Sequence, residues 1–156
     1  MLKQVSPVDG YQLERATPAA FDGATSGARG DKDGALAALK LYYVTGDVVL
    51  KIFGVCSTLL ASTTGTLEVG VSGNTAALIA QTTATDIDAN ELWNDATPAV
   101  GTDTYANITG PHIVVNGTDI IETTATADIS SGQIYYVCIW APLTPGAKVE
   151  ANHLSD

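Results

Sequence analysis

The chain is poor in the residues that most often carry catalytic and metal chemistry. It has only two histidines and two cysteines among 156 residues. Neither His112 nor His153 has a motif partner, so no Ser-His-Asp or Cys-His pattern is present. The two cysteines form no disulfide framework and lack the close spacing of a metal site. These shortages predict a protein without catalytic residues, metal ligands or a cofactor.

Long apolar runs are also missing. The uninterrupted apolar stretches are a handful of residues long, against the roughly 18 that span a bilayer, and the start MLKQVSPVDG lacks the apolar core of a signal peptide. We therefore expect no membrane contact and no export by the usual secretory route. Cys56 and Cys138 both lie in apolar runs and are expected to be buried free thiols. A disulfide and a nucleophilic role are the alternatives.

Basic residues are absent from the middle of the chain. The net charge is -10, and no Lys or Arg occurs between Lys51 and Lys148, where nine carboxylates accumulate. In the first forty residues five cations balance five carboxylates. Such an acidic body repels phosphate backbones, so direct nucleic-acid binding is not expected. The acidic surface indicates either simple solubility or the outward face of a protein whose contacts lie elsewhere.

The chain is rich in β-strand patterns. From Leu36 onward, apolar and β-branched runs alternate with short turns containing Gly, Asn and Asp. About eight antiparallel strands are expected, which predicts a single all-β domain over residues 36–150, either a β-sandwich or jelly-roll-like fold or a β-barrel. Residues 1–35 are expected to form an irregular N-terminal arm and loop, and residues 151–156 a C-terminal tail.

Local turn signals predict how the strands connect. Residues 45–47 separate two β-rich runs and predict a hairpin, and Asn-Gly at 116–117 is the strongest short-range hairpin signal of the chain. A further turn at 72–74 joins two more strands. Asp88 and Glu91 have the spacing of a capping box, which predicts one or two turns of helix.

Two strands are apolar on both faces. They cover residues 48–56 and 133–141, and Lys51 is their one charged residue. Because successive side chains of a strand point to opposite faces, the core of one domain covers only one set. The two strands are expected to be central neighbours whose second face is buried by another subunit. The residues expected at this protein interface, with cations of the N-terminal arm, are Lys3, Arg15, Arg29, Lys32, Phe53, Tyr135 and Trp140.

Several short motifs match known sites only in part. Asp86, Asp88 and Asn90 copy the opening of an EF-hand loop, but Glu91 stands where Gly is needed and Thr97 where a bidentate Glu belongs. We interpret this segment as a solvated turn or helix cap, with a structural Ca²⁺ site as the alternative.

Other motifs are interpreted as turn residues. Residues 29–31 spell an Arg-Gly-Asp adhesion tripeptide, in a loop so dense in Gly and Asp that it arises easily by chance. Asp31 and Asp33 form a weak oxygen cluster in the same loop. Asn107 and Asn116 head glycosylation sequons, which matter only on a secretory route.

Three segments carry a resemblance to a known family. They are GDVVLKIFGVCSTLL, TLEVGVSGNTAALIAQTTATDIDANELWNDATP and IVVNGTDIIETTATADISSGQIYYVCIWAPL. Together they resemble small head proteins of tailed bacteriophages, the decoration or cement class, over about residues 44–143. The order of the segments carries the resemblance, especially the acidic DIDANELW and the final ADISSGQIYYVCIWAPL.

The resemblance implies a non-catalytic virion protein on the capsid exterior, often a homotrimer, that binds the major capsid protein lattice and is present in the host cytoplasm during assembly. It brings no cofactor and no catalytic residues. From charge and turn content we expect the N-terminal arm to dock on that lattice. The alternatives are a phage tail, fibre or receptor-binding module and, in another class, a carbohydrate-binding or hydrolytic β-sandwich that uses Trp93 or Tyr105.

Overall fold

The structure is a computed structural model and describes residues 10–98 and 108–153. Lys3, Asn107 and the strand expected near Tyr105 lie outside the described residues. A 3-10 turn covers Ala84–Asp86, and no helix in the described ranges is long and apolar enough to cross a membrane. The strands are β1 (Gln12–Ala16), β2 (Ala38–Thr45), β3 (Val48–Ser62), β4 (Thr66–Val71), β5 (Asn74–Thr83), β6 (Glu91–Trp93), β7 (His112–Val114), β8 (Ile120–Ala125), β9 (Ile129–Pro142) and β10 (Lys148–Ala151).

These strands form two antiparallel sheets. Sheet I has the order β1-β9-β3-β6, with β7 also paired to β3, and sheet II has the order β10-β2-β8-β4-β5. The sheets pack as a β-sandwich and do not close into a barrel over the described residues. The predicted all-β, single-domain fold is therefore confirmed, with more strands than the eight expected.

The core lies between the sheets and is built by strand alternation. Along β3 and β9 the inward positions are fully buried, as in Leu50, Ile52, Tyr136 and Cys138, and the alternate positions are half-buried. The two strands pair directly, with Ile52 opposite Cys138, as predicted. Each large aliphatic side chain buried here contributes about 1.5–3 kcal/mol to folding.

Both predicted hairpins, at residues 45–47 and 116–117, are wrong. Residues 45–47 lead from β2 in sheet II to β3 in sheet I, and residues 116–117 lead from β7 in sheet I to β8 in sheet II. The expected turn chemistry is present, because Gly46, Asn116 and Gly117 have φ of 68°, 58° and 64°. Both turns are corners between sheets, and the Gly117 amide donates to the Gly46 carbonyl at 3.0 Å. The turn at 72–74 does close the hairpin of β4 and β5.

Part of the predicted N-terminal arm belongs to the sandwich. β1 is an edge strand paired along β9. Glu14 connects it to sheet II, because its carbonyl accepts the Tyr42 hydroxyl at 3.1 Å and its carboxylate accepts the Ala151 amide at 3.2 Å. The loop that follows is held by backbone bonds such as Phe21 N to Gly132 O at 2.9 Å. The expected boundary at residue 35 therefore does not separate an arm from the domain.

The predicted helical turn at residues 88–91 is also wrong. The Glu91 carboxylate accepts the Asp88 amide at 2.5 Å, which is the backward bond of a capping box. However, Asn90 has φ of 67°, and the chain continues as β6, with Trp93 opposite Gly54 of β3. Pairing with the long central strand has overridden the local helical signal.

Candidate functional site

The outer face of sheet I, the side turned away from sheet II, is the candidate interaction site. In register, Leu13 lies beside Ile139, which lies beside Lys51. One row along, Arg15 lies beside Val137, which lies beside Phe53. The residues that we call the outer face are Leu13, Arg15, Val49, Lys51, Phe53, Val55, Leu92, Ile113, Tyr135, Val137, Ile139 and Ala141.

This outer face is apolar, partly exposed and free of carboxylates. Leu13 and Ile113 are 38% and 67% exposed, and the residues of its central strands are half-buried. Its only charged members are Arg15 and Lys51. The Arg15 guanidinium lies 4.0 Å from the centre of the Tyr135 ring, a cation-π contact. None of the ion pairs in the described part of the chain involves either cation.

The outer face of sheet II is polar and has paired charges. Lys40 forms an ion pair with Asp119 at 3.0 Å, and Lys148 forms one with Glu150 at 3.0 Å. The Asp119 carboxylate raises the pKa of Lys40 through this contact. These positions have the character of a solvated surface.

A buried charge network joins the two sheets. Arg29, from the loop between β1 and β2, donates to both carboxylate oxygens of Glu122 on β8, at 2.9 and 2.6 Å. The hydroxyl of Tyr136 on β9 donates to the same carboxylate at 2.5 Å. Both members of the ion pair are about 1% exposed. One bidentate pair thus connects the loop, sheet II and sheet I.

Arg29 uses all five of its N–H donors. Its other partners are the carbonyls of Ala19 and Ile134, at 2.7 and 3.2 Å, and the Gln133 side-chain oxygen at 3.0 Å. The guanidinium also lies 3.9 Å from the centre of the Phe21 ring. Burial acts to lower the pKa of Arg29, but Glu122 outweighs it and the pKa is raised. This full set of partners is what a buried charge requires, so removing either member of the ion pair should be costly to the fold.

The burial of Arg29 argues against a receptor-binding role for the Arg-Gly-Asp tripeptide at residues 29–31. Its side chain is enclosed, so the arginine is not presented at the surface. The Asp31 carboxylate accepts the amides of Gly27 and Asp33 at 2.8 and 3.0 Å, and these bonds lower its pKa. The tripeptide is part of a hydrogen-bonded loop, in agreement with its interpretation as turn residues.

The structure brings three of the seven predicted interface residues together. Arg15, Phe53 and Tyr135 all lie on the outer face of sheet I. Sequence reasoning missed Leu13 and Ile113 on the same face, because β1 was interpreted as an arm and β7 as half of a hairpin. Their apolar character at alternate positions was the available signal.

The other four candidates lie elsewhere. Arg29 and Trp140 point into the core, where they are 2% and 5% exposed, so neither side chain is part of an accessible surface. Their positions are explained by the ion pair and by the inward side of β9. Lys32 lies in the loop after β1 and forms an ion pair with Asp33, and Lys3 is outside the described residues.

Both cysteines are buried free thiols, as predicted. They point inward from β3 and β9, where Cys56 lies opposite Ile134 and Cys138 opposite Ile52. Burial raises the pKa of Cys56 to about 11 and also raises that of Cys138. Because the thiolate is the reactive form, both are weak nucleophiles at neutral pH, and the disulfide alternative is wrong.

A small apolar groove lies beside the outer face of sheet I. It has a volume of about 240 Å³, and its lining includes Val71, Leu78, His112 and Ile113. The Nε2 atom of His112 is buried without a hydrogen bond, and burial lowers the pKa of this imidazole. In the described ranges no group of three or more His, Cys, Asp or Glu side chains is arranged to hold a metal. The groove extends the apolar character of the face around Ile113.

No family model, curated protein or solved structure matches the chain. A functional proposal therefore depends on the geometry of the two faces and on the resemblance carried by the sequence segments.

Proposed function

We propose that the chain is a non-enzymatic virion protein that decorates and stabilises the head of a tailed bacteriophage by binding the major capsid protein lattice. The observation that carries this proposal is the outer face of sheet I. Contiguous apolar faces that stay accessible to solvent on a folded domain often mark sites of protein contact, and on this face Leu13 and Ile113 are exposed beside the half-buried residues of β3 and β9.

The resemblance supports the same function from a different direction. Its first segment contains most of β3 and its last segment contains β9, the two strands that supply most of the outer face of sheet I. The resemblance therefore includes the two strands that form the centre of this face, together with strands of sheet II.

The interior supports a rigid assembly module. The Arg29–Glu122 pair holds the loop and both sheets in one arrangement, and the two thiols are packed as apolar groups. A protein that reinforces a lattice has to keep its shape under load, and fully satisfied buried polar networks specify a single packing.

Two alternatives remain as proposals of lower rank. A tail or fibre module would also use an apolar face and differs in location. A carbohydrate-binding sandwich needs exposed aromatics, but Trp93 is fully buried and its indole N–H donates to Thr82 Oγ1 at 2.9 Å. This burial weakens the carbohydrate alternative.

The proposal is tested on phage particles with and without this protein. We expect hundreds of copies on the head surface by electron cryo-microscopy, and we expect heads that lack the protein to break at lower temperature or in low salt. A few copies at the tail would favour the tail alternative. Equal robustness of the two kinds of head would contradict a stabilising role.

A further inference from the structure

We infer that the outer face of sheet I is the surface that docks on the lattice, and that the lattice presents carboxylates among apolar side chains opposite Arg15 and Lys51. This inference depends on the proposed function, since it names the face and the partner chemistry of the same contact. The pairing of the cations supports it.

Four of the six described cations pair with a carboxylate of this chain. They are Arg29, Lys32, Lys40 and Lys148. The two cations without such a pair, Arg15 and Lys51, both lie on the outer face of sheet I. In a chain with 17 carboxylates against seven basic residues, this face is the exception in composition and in pairing.

The two cations also limit what covers the face. A purely apolar partner would leave both charges without a counterion in a water-poor interface, which is costly. A second copy stacked symmetrically on the same face would bring up a surface without carboxylates, so neither cation would gain a counterion. A partner that supplies carboxylates satisfies both charges, and the acidic remainder of this chain repels that partner in other orientations.

The strand register gives the spacing of the partner's carboxylates. Lys51 is opposite Ile139 and Arg15 is opposite Val137, so the two cations are two strands and two residues apart. With strand spacings of about 4.8 Å and rises of about 3.4 Å, their Cα atoms are roughly 12 Å apart. The partner is expected to present two acidic positions at a similar separation.

The test uses the full chain and purified heads that lack it. Lys51→Glu places a repelling charge at the centre of the face and should weaken binding to heads at least about tenfold, measured by co-sedimentation. Lys148→Glu is the matched control, because it makes the same change on the outer face of sheet II and should stay within about twofold of wild type. Thermal unfolding checks that each variant is folded, and Arg15→Glu on the edge strand repeats the test if Lys51→Glu does not fold.

The possible outcomes separate a failure of this inference from a failure of the proposed function. Wild-type binding by the charge-reversed variants, or an equal loss in Lys148→Glu, would overturn the inference while leaving the proposed function in place. Dimers of the isolated chain that dissociate in Lys51→Glu would assign the face to a second copy and also overturn it. Failure of the wild-type chain to bind heads would contradict the proposed function itself.

Discussion

The two outer faces of the sandwich differ in how their charges are treated. On sheet II, Lys40 and Lys148 each have a carboxylate partner at 3.0 Å, so these cations need no counterion from another molecule. On sheet I, Lys51 lies among half-buried apolar side chains and has no carboxylate partner in the described part of the chain. Strand alternation builds both faces equally well, so the difference lies in the side chains and not in the backbone.

The largest expected loss of stability comes from the buried ion pair between the two sheets. Glu122→Leu leaves Arg29 buried without its counterion and should cost about 3–5 kcal/mol of unfolding free energy, measured by urea denaturation. Replacing both partners, with Arg29→Met added, should recover much of that loss, because no uncompensated charge remains. Glu150→Leu, which removes an exposed acid paired with Lys148 on the outer face of sheet II, is the control and should cost far less. Equal losses for the two single variants would contradict the structural role of the network.

The strands with a strong local signal were predictable. Runs of β-branched and aromatic residues identified β2 and β4 closely. The predicted runs at 48–56 and 133–141 covered only part of β3 and β9, whose bounds are Val48–Ser62 and Ile129–Pro142. The assignment of strands to sheets was not predictable from the turns, because residues 45–47 and 116–117 have the same backbone chemistry whether they close a hairpin or turn a corner. Only the tertiary packing of the flanking strands decides between the two.

The buried ion pair shows a second limit of prediction from the sequence. Arg29 lies in a turn-rich loop, and nothing local indicates that it enters the core. The available signal was on its partner: in β8, Glu122 alternates in phase with the inward residues Ile120 and Thr124. An acid at an inward position calls for a buried cation, but the sequence does not say which of the basic residues supplies it. The two-faced apolar pattern of the central strands predicted an apolar outer face on sheet I. Only the structure shows which cations on it lack a carboxylate partner.

A matched pair of isoleucines sharpens the contrast between the core and the outer face of sheet I. Ile52 points inward from β3 and is fully buried, whereas Ile139 points outward from β9 and is half-buried. Ile52→Ala should cost about 2–5 kcal/mol of unfolding free energy because it leaves a cavity. Ile139→Ala should cost the isolated chain less than about 1.5 kcal/mol, because water already reaches this side chain. Equal losses in chemical denaturation would mean that the outer face is packed as tightly as the core and is no candidate for docking.

The smallest expected effect compares the cations of the two faces by the same substitution. Lys40→Met removes the partner of Asp119 and should lower the melting temperature of the isolated chain slightly, by no more than about 2 °C. Lys51→Met removes a charge that has no partner and adds an apolar side chain to an apolar surface, so it should leave the melting temperature unchanged or raise it by a similarly small amount. Calorimetry measures the two changes in melting temperature, and the comparison depends on whether they have opposite signs. A clear loss of stability in Lys51→Met would show that Lys51 serves the fold, whereas stability without loss leaves binding as the reason for a cation at that position.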